Sequence, residues 1–247
     1  MDIILSTLIQ KGDDLLKKPF EKVKFTGNSA ADNLLNVLQN YPHAFVLGCI
    51  MDRQIKAQKA WMVPYKIKTE VGSFEFPQLL SQSLTKIKQI FNKRKLHRFN
   101  EKMANYFYGG IRRINDNYQG DASNIWKGLP KSATVVRRFL QFQGVGIKIA
   151  SMATNILARD FKIKMADKLC IDISPDVQVK RVFTRLGLIN KDANNEELIY
   201  CARGLNPEYP GIFDFPAWEI GEKSCRLMRP NCNDCYLREW CPKIGVG

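Results

Sequence analysis

Residues 141–150 read QFQGVGIKIA. Before them, Pro130 to Phe142 carries apolar residues at helical spacing, and after them Ile147 to Leu157 does so again. Two glycines around a single valine therefore fall at a joint between two helices. Glycine turns the chain with φ > 0 and lets its backbone come close to another molecule. The first N–H groups of the second helix have no partner inside that helix, and they carry the positive end of its dipole, which makes a ready phosphate site. Gly144 and Gly146 would present these amides while Val145 plugs the turn into the core. An ordinary helix–helix turn with glycine caps accounts for the same ten residues, so the rest of the chain has to decide.

The pattern hydrophobic-Gly-hydrophobic-Gly-x-x-hydrophobic-Ala, met by Phe142 to Ala150 with one residue before the first glycine, is the helix-hairpin-helix signature. The composition agrees with a phosphate partner. The chain has 247 residues, 45% of them hydrophobic, which is ample for one large domain or two small ones. Its 38 Lys and Arg against 24 Asp and Glu give a formal charge of +14. Basicity on this scale points to a polyanion, either nucleic acid or an anionic surface. No apolar run approaches the roughly 18–20 residues that span a bilayer. The N-terminal MDIILSTLIQKGDDLLKK opens with an acid and has the spacing of an amphipathic helix rather than a secretory signal. An intracellular, cytoplasmic chain is expected, and its seven cysteines are then not a disulfide framework.

Helical periodicity runs through nearly the whole chain. It covers Asn28–Trp61 with a new start at Tyr41-Pro42, then 75–93, 99–117, 121–126, 130–142, 147–159, 175–187, 196–203 and 215–222. Ala44 to Met51 is apolar enough for a central buried helix. One short β-ribbon is expected at Val63–Val71. The class is all-α.

The C-terminal stretch Cys225-RLMRPN-Cys232-ND-Cys235-YLREW-Cys241 has the spacing C-x6-C-x2-C-x5-C. Four thiols this close, in a chain without disulfides, call for a metal centre. A four-cysteine zinc site usually comes as two C-x-x-C pairs, and here there is one close pair with two wide gaps. A [4Fe–4S] cluster is larger and accepts such spacing. Cys49, Cys170 and Cys201 fit core positions. Arg226 and Arg229, with Lys223 and Arg238, would make the loop a phosphate contact or a solvated basic face. His43 and His97 are the only histidines, which leaves no histidine triad or zinc site to argue.

The Gly-Val-Gly hairpin followed by Lys148, then this cysteine pattern, together resemble the endonuclease III branch of the helix-hairpin-helix DNA glycosylases, from about Asn33 to Cys241. The resemblance implies a two-lobed fold, with a helical barrel domain at 32–160 carrying the hairpin, and residues 1–31 with 161–247 forming a second domain around a [4Fe–4S] cluster. It implies a base-excision repair DNA N-glycosylase with AP lyase activity, a monomer acting on double-stranded DNA that holds a damaged base or abasic site, with no membrane partner.

Carried over by position, Lys148 matches the catalytic lysine. Asp176, in Ser174-Pro-Asp-Val-Gln-Val-Lys-Arg181-Val182, matches the catalytic aspartate. Ser174 would cap that helix with Pro175 at its first position. The stretch RDFKIKMADKLCIDISP is longer than the family loop, so Asp167 and Asp172 compete for the acid role. Gln54, helped by Arg53, would fill the gap left by a flipped nucleotide, and an exposed Leu96 would be the intercalating wedge, or else a simple anchor of its loop. Phe142-Gln143 stands where the family often has Leu-Pro. Oxidised pyrimidines are the substrate that the resemblance implies by default, with uracil, mismatched thymine and oxidised purines left open. The alternatives are a monofunctional glycosylase in which Lys148 grips phosphate, a non-catalytic DNA-binding protein on the same scaffold, and a zinc-bound RNA- or partner-binding helical module.

Overall fold

The computed structural model describes residues 2–246. Among them the regular structure is all helical, without a strand. The helices in chain order are α1 (Asp2–Lys17), α2 (Ser29–Asn36), α3 (Pro42–Met51), α4 (Ala57–Trp61), α5 (Val63–Val71), α6 (Phe76–Leu80), α7 (Leu84–Arg94), α8 (Asn100–Tyr118), α9 (Ser132–Leu140), α10 (Ile147–Arg159), α11 (Val177–Arg185), α12 (Asn195–Leu205) and α13 (Asp214–Lys223). Short 3-10 turns stand at Ala122–Ile125, Pro210–Phe213 and Cys232–Asp234. The chain divides into two compact units. One comprises Glu21–Pro130 and Arg137–Ile149; the other takes the remaining described residues.

In the first unit α3 is the axis. Every residue from Pro42 to Met51 is buried, as its unbroken apolar run requires. Helices α2, α4, α5 and α8 and the turn at Ala122–Ile125 pack around it. Two of these contacts are close because a glycine faces each. A β-carbon on Gly48 would lie 2.7 Å from the Trp61 ring, and one on Gly110 would lie 2.9 Å from Ile50. The Trp61 ring also stacks against Phe45 and lies 4.5 Å from Phe25. Such aromatic packing carries much of a core's burial energy.

The expected ribbon at Val63–Val71 is instead helix α5. Pro64 stands in its first turn, Val63 and Ile67 are buried four apart, and Gly72 closes it in the left-handed conformation. A spacing of four is one face of a helix. The long helical patterns are also cut where polar caps intervene. Asp52 to Lys56 separates α3 from α4, and Ser83, whose side chain accepts from the Lys86 amide, starts α7.

In the second unit α11 packs on α13, and α1 packs on α13 and on the turn at Pro210–Phe213. The long stretch after α10 does structural work. Lys162 donates to the Leu15 and Leu16 carbonyls at 2.8 and 3.2 Å, which places a cation at the C-terminus of α1. Asp167 accepts from the Ser132 hydroxyl at the start of α9. Asp172 takes both arms of a bidentate pair from Arg203, at 2.7 and 2.9 Å.

Candidate active site and nucleic-acid interface

The hairpin belongs to the first unit. Gly144 has φ +87°, and a β-carbon there would sit 2.5 Å from the Tyr106 ring. Conformation and space therefore both demand glycine. Val145 is buried and its amide donates to the Phe142 carbonyl at 3.0 Å. Gly146 is exposed and faces open space. The end of α3 fastens to this turn. Arg53 donates to the Gly144 carbonyl at 2.5 Å, and its guanidinium lies over Tyr106. Beside it the nearly buried carboxylate of Asp52 lies 3.1 Å from Nζ of Lys148, whose side chain is 35% exposed. Lys148 is the second residue of α10. Asp52 adjoins Arg53 and Gln54 in the sequence, where nothing local pairs it with a residue 96 positions away.

Gln54 is exposed and held at φ +51°. Leu96 does not have the exposure expected of a wedge: it is 1% exposed. Lys95 turns into the left-handed conformation at the end of α7, and the Leu96 amide returns to the Phe91 carbonyl at 3.1 Å. That closure drives the following apolar side chain inward against the helix. Leu96 is thus the anchor of its loop. Arg98 and Phe99, which follow, are exposed, with the guanidinium 4.8 Å from the ring centroid. Between them and Leu96, His97 is buried. Burial lowers its basicity, and the Arg53 and Met51 carbonyls at the end of α3 pull the other way.

In the second unit Asp176 is itself the N-cap of α11, with its carboxylate accepting from the Gln178 amide at 2.9 Å. The cap thus falls two residues later than Ser174, which is buried. The Ser174 amide donates to Asp214 at 2.6 Å. Burial pushes the Asp214 carboxyl up, and Arg159 opposes that. Asp167 and Asp172 are engaged with Ser132 and Arg203 as described, so Asp176 is the aspartate of the three that stands at a helix start.

The four tail cysteines line one cavity together with Arg185 and Arg238. Among the described residues no three His, Cys, Asp or Glu side chains gather around the position of a single ion. Cysteine thiolates are donors that both iron–sulfur clusters and zinc accept. Burial raises the Cys235 and Cys241 thiols, and the neighbouring thiols add to it. N–H groups point at sulfur, among them Arg185 Nη1 at Cys225 and the Lys243 amide at Cys241, each at 3.4 Å. Arg185 also ties down the loop, donating to the carbonyls of Arg226 at 2.7 Å and Leu227 at 3.2 Å. Arg181 donates to the Cys225 carbonyl at 2.7 Å. The loop then exposes Arg226 and Arg229 on either side of Leu227 and Met228, which are 71% and 78% exposed.

No family model matches the sequence, and no curated protein matches it in sequence. Solved structures do match in shape. An endonuclease III caught in a non-covalent complex with DNA superposes with TM-score 0.63 at 16% identity, over 98% of this chain and 95% of that one. An endonuclease III trapped as a covalent DNA intermediate gives 0.62 at 14%, over 98% and 96%. The chain has the endonuclease III fold. A thermostable thymine-DNA glycosylase shares it, with TM-score 0.61 at 15% identity over 98% and 95%. This endonuclease III fold therefore spans essentially the full described chain, both units included.

Arg185→Met removes the donor that holds the cysteine loop. Loss of even one charge-assisted hydrogen bond of about 1.5 kcal/mol raises the open population roughly tenfold. Tryptic cleavage after Arg226, which Leu227 follows, is expected to quicken by at least that factor, with the helical circular dichroism unchanged. An unaltered cleavage rate would contradict the stapling role.

Proposed function

We propose that the chain is a base-excision repair DNA glycosylase with AP lyase activity. The observation that carries this reading is Lys148: a half-exposed amine in the first turn of α10, directly after a glycine turn that only glycine can make. The endonuclease III fold supports it. A base inside a duplex is out of reach, so the nucleotide has to be flipped out. Gly144 and Gly146 would hold a backbone phosphate at the start of α10. Gln54 would enter the vacated space, with Arg53 beside it. The wedge passes from the buried Leu96 to the exposed Phe99, whose ring has a face for base stacking. Asp176 would stabilise positive charge on the sugar as the base departs. The neutral amine of Lys148 would then capture C1′ as a Schiff base, and β-elimination would nick the strand.

Cys225, Cys232, Cys235 and Cys241 would hold a [4Fe–4S] cluster. Its contribution would be rigidity, fixing the loop that offers Arg226 and Arg229 to phosphates. The substrate is double-stranded DNA bearing a damaged base or an abasic site, and the working unit is a monomer.

One observation favours a second reading. A lysine ion-paired with a carboxylate is an ammonium, the form that grips phosphate and does not attack carbon. In a monofunctional glycosylase Lys148 would have only that task.

Borohydride trapping on duplexes that each carry one lesion or an abasic site separates the two. A covalent adduct with the wild type that is lost in Lys148→Gln is expected, with strand cleavage lost alongside. Base release without any adduct would make the enzyme monofunctional, and cleavage surviving Lys148→Gln would remove the Schiff-base role. Elemental analysis of protein purified without oxygen is expected to give iron and acid-labile sulfide in equal amounts. Zinc in their place would overturn the cluster assignment.

A further inference from the structure

The carboxylate of Asp52 is a costly group in an awkward place. Its side chain is only 8% exposed. It stands at the C-terminal end of α3, where the helix dipole disfavours an anion, and α3 is buried along its whole length. Burying a carboxylate is expensive unless something is gained from it. Capping is not the gain, since the backbone amide of Asp52 already bonds the Cys49 carbonyl and no side-chain cap is needed there. What the carboxylate does reach is Nζ of Lys148, at 3.1 Å.

Lys148 is misplaced in the complementary sense. It carries a positive charge at the N-terminus of α10, where the dipole opposes a cation. Each charge of the pair therefore stands at the helix end whose dipole opposes it. The geometry of the pair is fixed from outside it. Arg53, the next residue after Asp52, is bonded to the Gly144 carbonyl and stacked over Tyr106, so the end of α3 and the turn before α10 are held together.

We propose that Asp52 is the acid–base partner of Lys148 in imine formation, taking the proton that frees the amine and returning it to the departing hydroxyl. The bonds balance as follows. The ammonium gives one proton to Asp52. The nitrogen lone pair attacks the C1′ aldehyde of the ring-opened abasic sugar, and the carbonyl π pair moves to oxygen. A proton passes from nitrogen to that oxygen, leaving a neutral carbinolamine. Asp52 then protonates the hydroxyl, the C1′–O bond breaks, water leaves, and the nitrogen lone pair closes the C=N bond. Ammonium and aldehyde have become iminium and water, and Asp52 is a carboxylate again. Neither an oxidant nor a reductant is required. Asp52 touches the reacting nitrogen, so it is a catalytic residue of the lyase step, and this role rests on the lyase reading proposed above.

The test is the single-turnover rate of borohydride trapping on an abasic-site duplex, for wild type, Asp52→Ala, Asp52→Asn and Asp52→Glu. Melting midpoints and DNA-binding constants are measured beside it. Loss of a general acid–base group costs about 10²-fold or more. Trapping by Asp52→Ala and Asp52→Asn is expected to slow by that factor, and by more than base release slows on a lesion duplex. Formate added to Asp52→Ala is expected to restore the rate in proportion to its concentration, and Asp52→Glu to keep part of it. Asp52→Asn keeps the size of the side chain, so it stands in if Asp52→Ala melts early. Full-rate trapping in the alanine and asparagine variants would overturn the role. So would a slow rate that neither formate nor glutamate lifts, since that marks a structural residue. Absence of an adduct with the wild type would sink the lyase reading itself, and the role of Asp52 with it, and is told apart from the other outcomes by the wild-type lane alone.

Discussion

The ring of Tyr106 occupies the space where Gly144 would carry a β-carbon, and that contact sets the geometry of the first unit's chemistry. With φ at +87° and the ring 2.5 Å from the missing carbon, the chain turns there and nowhere nearby. Arg53 then has two holds at once, the carbonyl of Gly144 and the face of Tyr106. The buried helix α3 is thereby locked to the turn that starts α10. Its neighbouring residues inherit defined places from this lock: Asp52 against Lys148, and Gln54 outward with its backbone in the left-handed region. A side chain on Gly144 would push Tyr106 aside, release Arg53, and loosen all three.

The second unit reaches comparable order by another route. It has no single apolar axis like α3. Instead charged side chains reach backbone carbonyls and helix ends. Lys162 closes α1, Arg203 and Asp172 pair in bidentate fashion, and Arg181 and Arg185 converge on the cysteine loop. Such bonds are worth more than neutral ones and fix direction as well as distance. With its carbonyls tethered by Arg185, the loop leaves Arg226 and Arg229 exposed.

Much of this was legible in the chain. The hairpin could be read because glycine spacing and flanking helical periodicity are local signals, and the gathering of the tail cysteines because they are close in sequence. The helix at Ile147–Arg159 falls at its expected bounds for the same reason. The choice between wedge and anchor for Leu96 was not legible, because burial of a loop residue depends on the backbone turn before it. Lys95 adopts a left-handed conformation that its residue type does not announce. The strand expected at Val63–Val71 is a helix, where tertiary contact with α3 rewards the burial of Val63 and Ile67 four apart. Asp52 was invisible for a different reason: a pair joined across 96 residues leaves no pattern in either segment. The long stretch after α10 raised doubt over which aspartate acts. The bonds of Asp167 to Ser132 and of Asp172 to Arg203 give that stretch a structural use.

The account depends above all on Lys148 being a nucleophile, and the most direct measurement is to locate the bond it makes. An abasic duplex is treated with the protein and borohydride, the adduct is digested by nuclease and protease, and the modified peptide is sequenced by mass spectrometry. A reduced deoxyribose remnant on Nζ of Lys148 is the predicted result. The same remnant on another lysine, or on the N-terminal amine, would contradict the account and move the chemistry to another part of the fold.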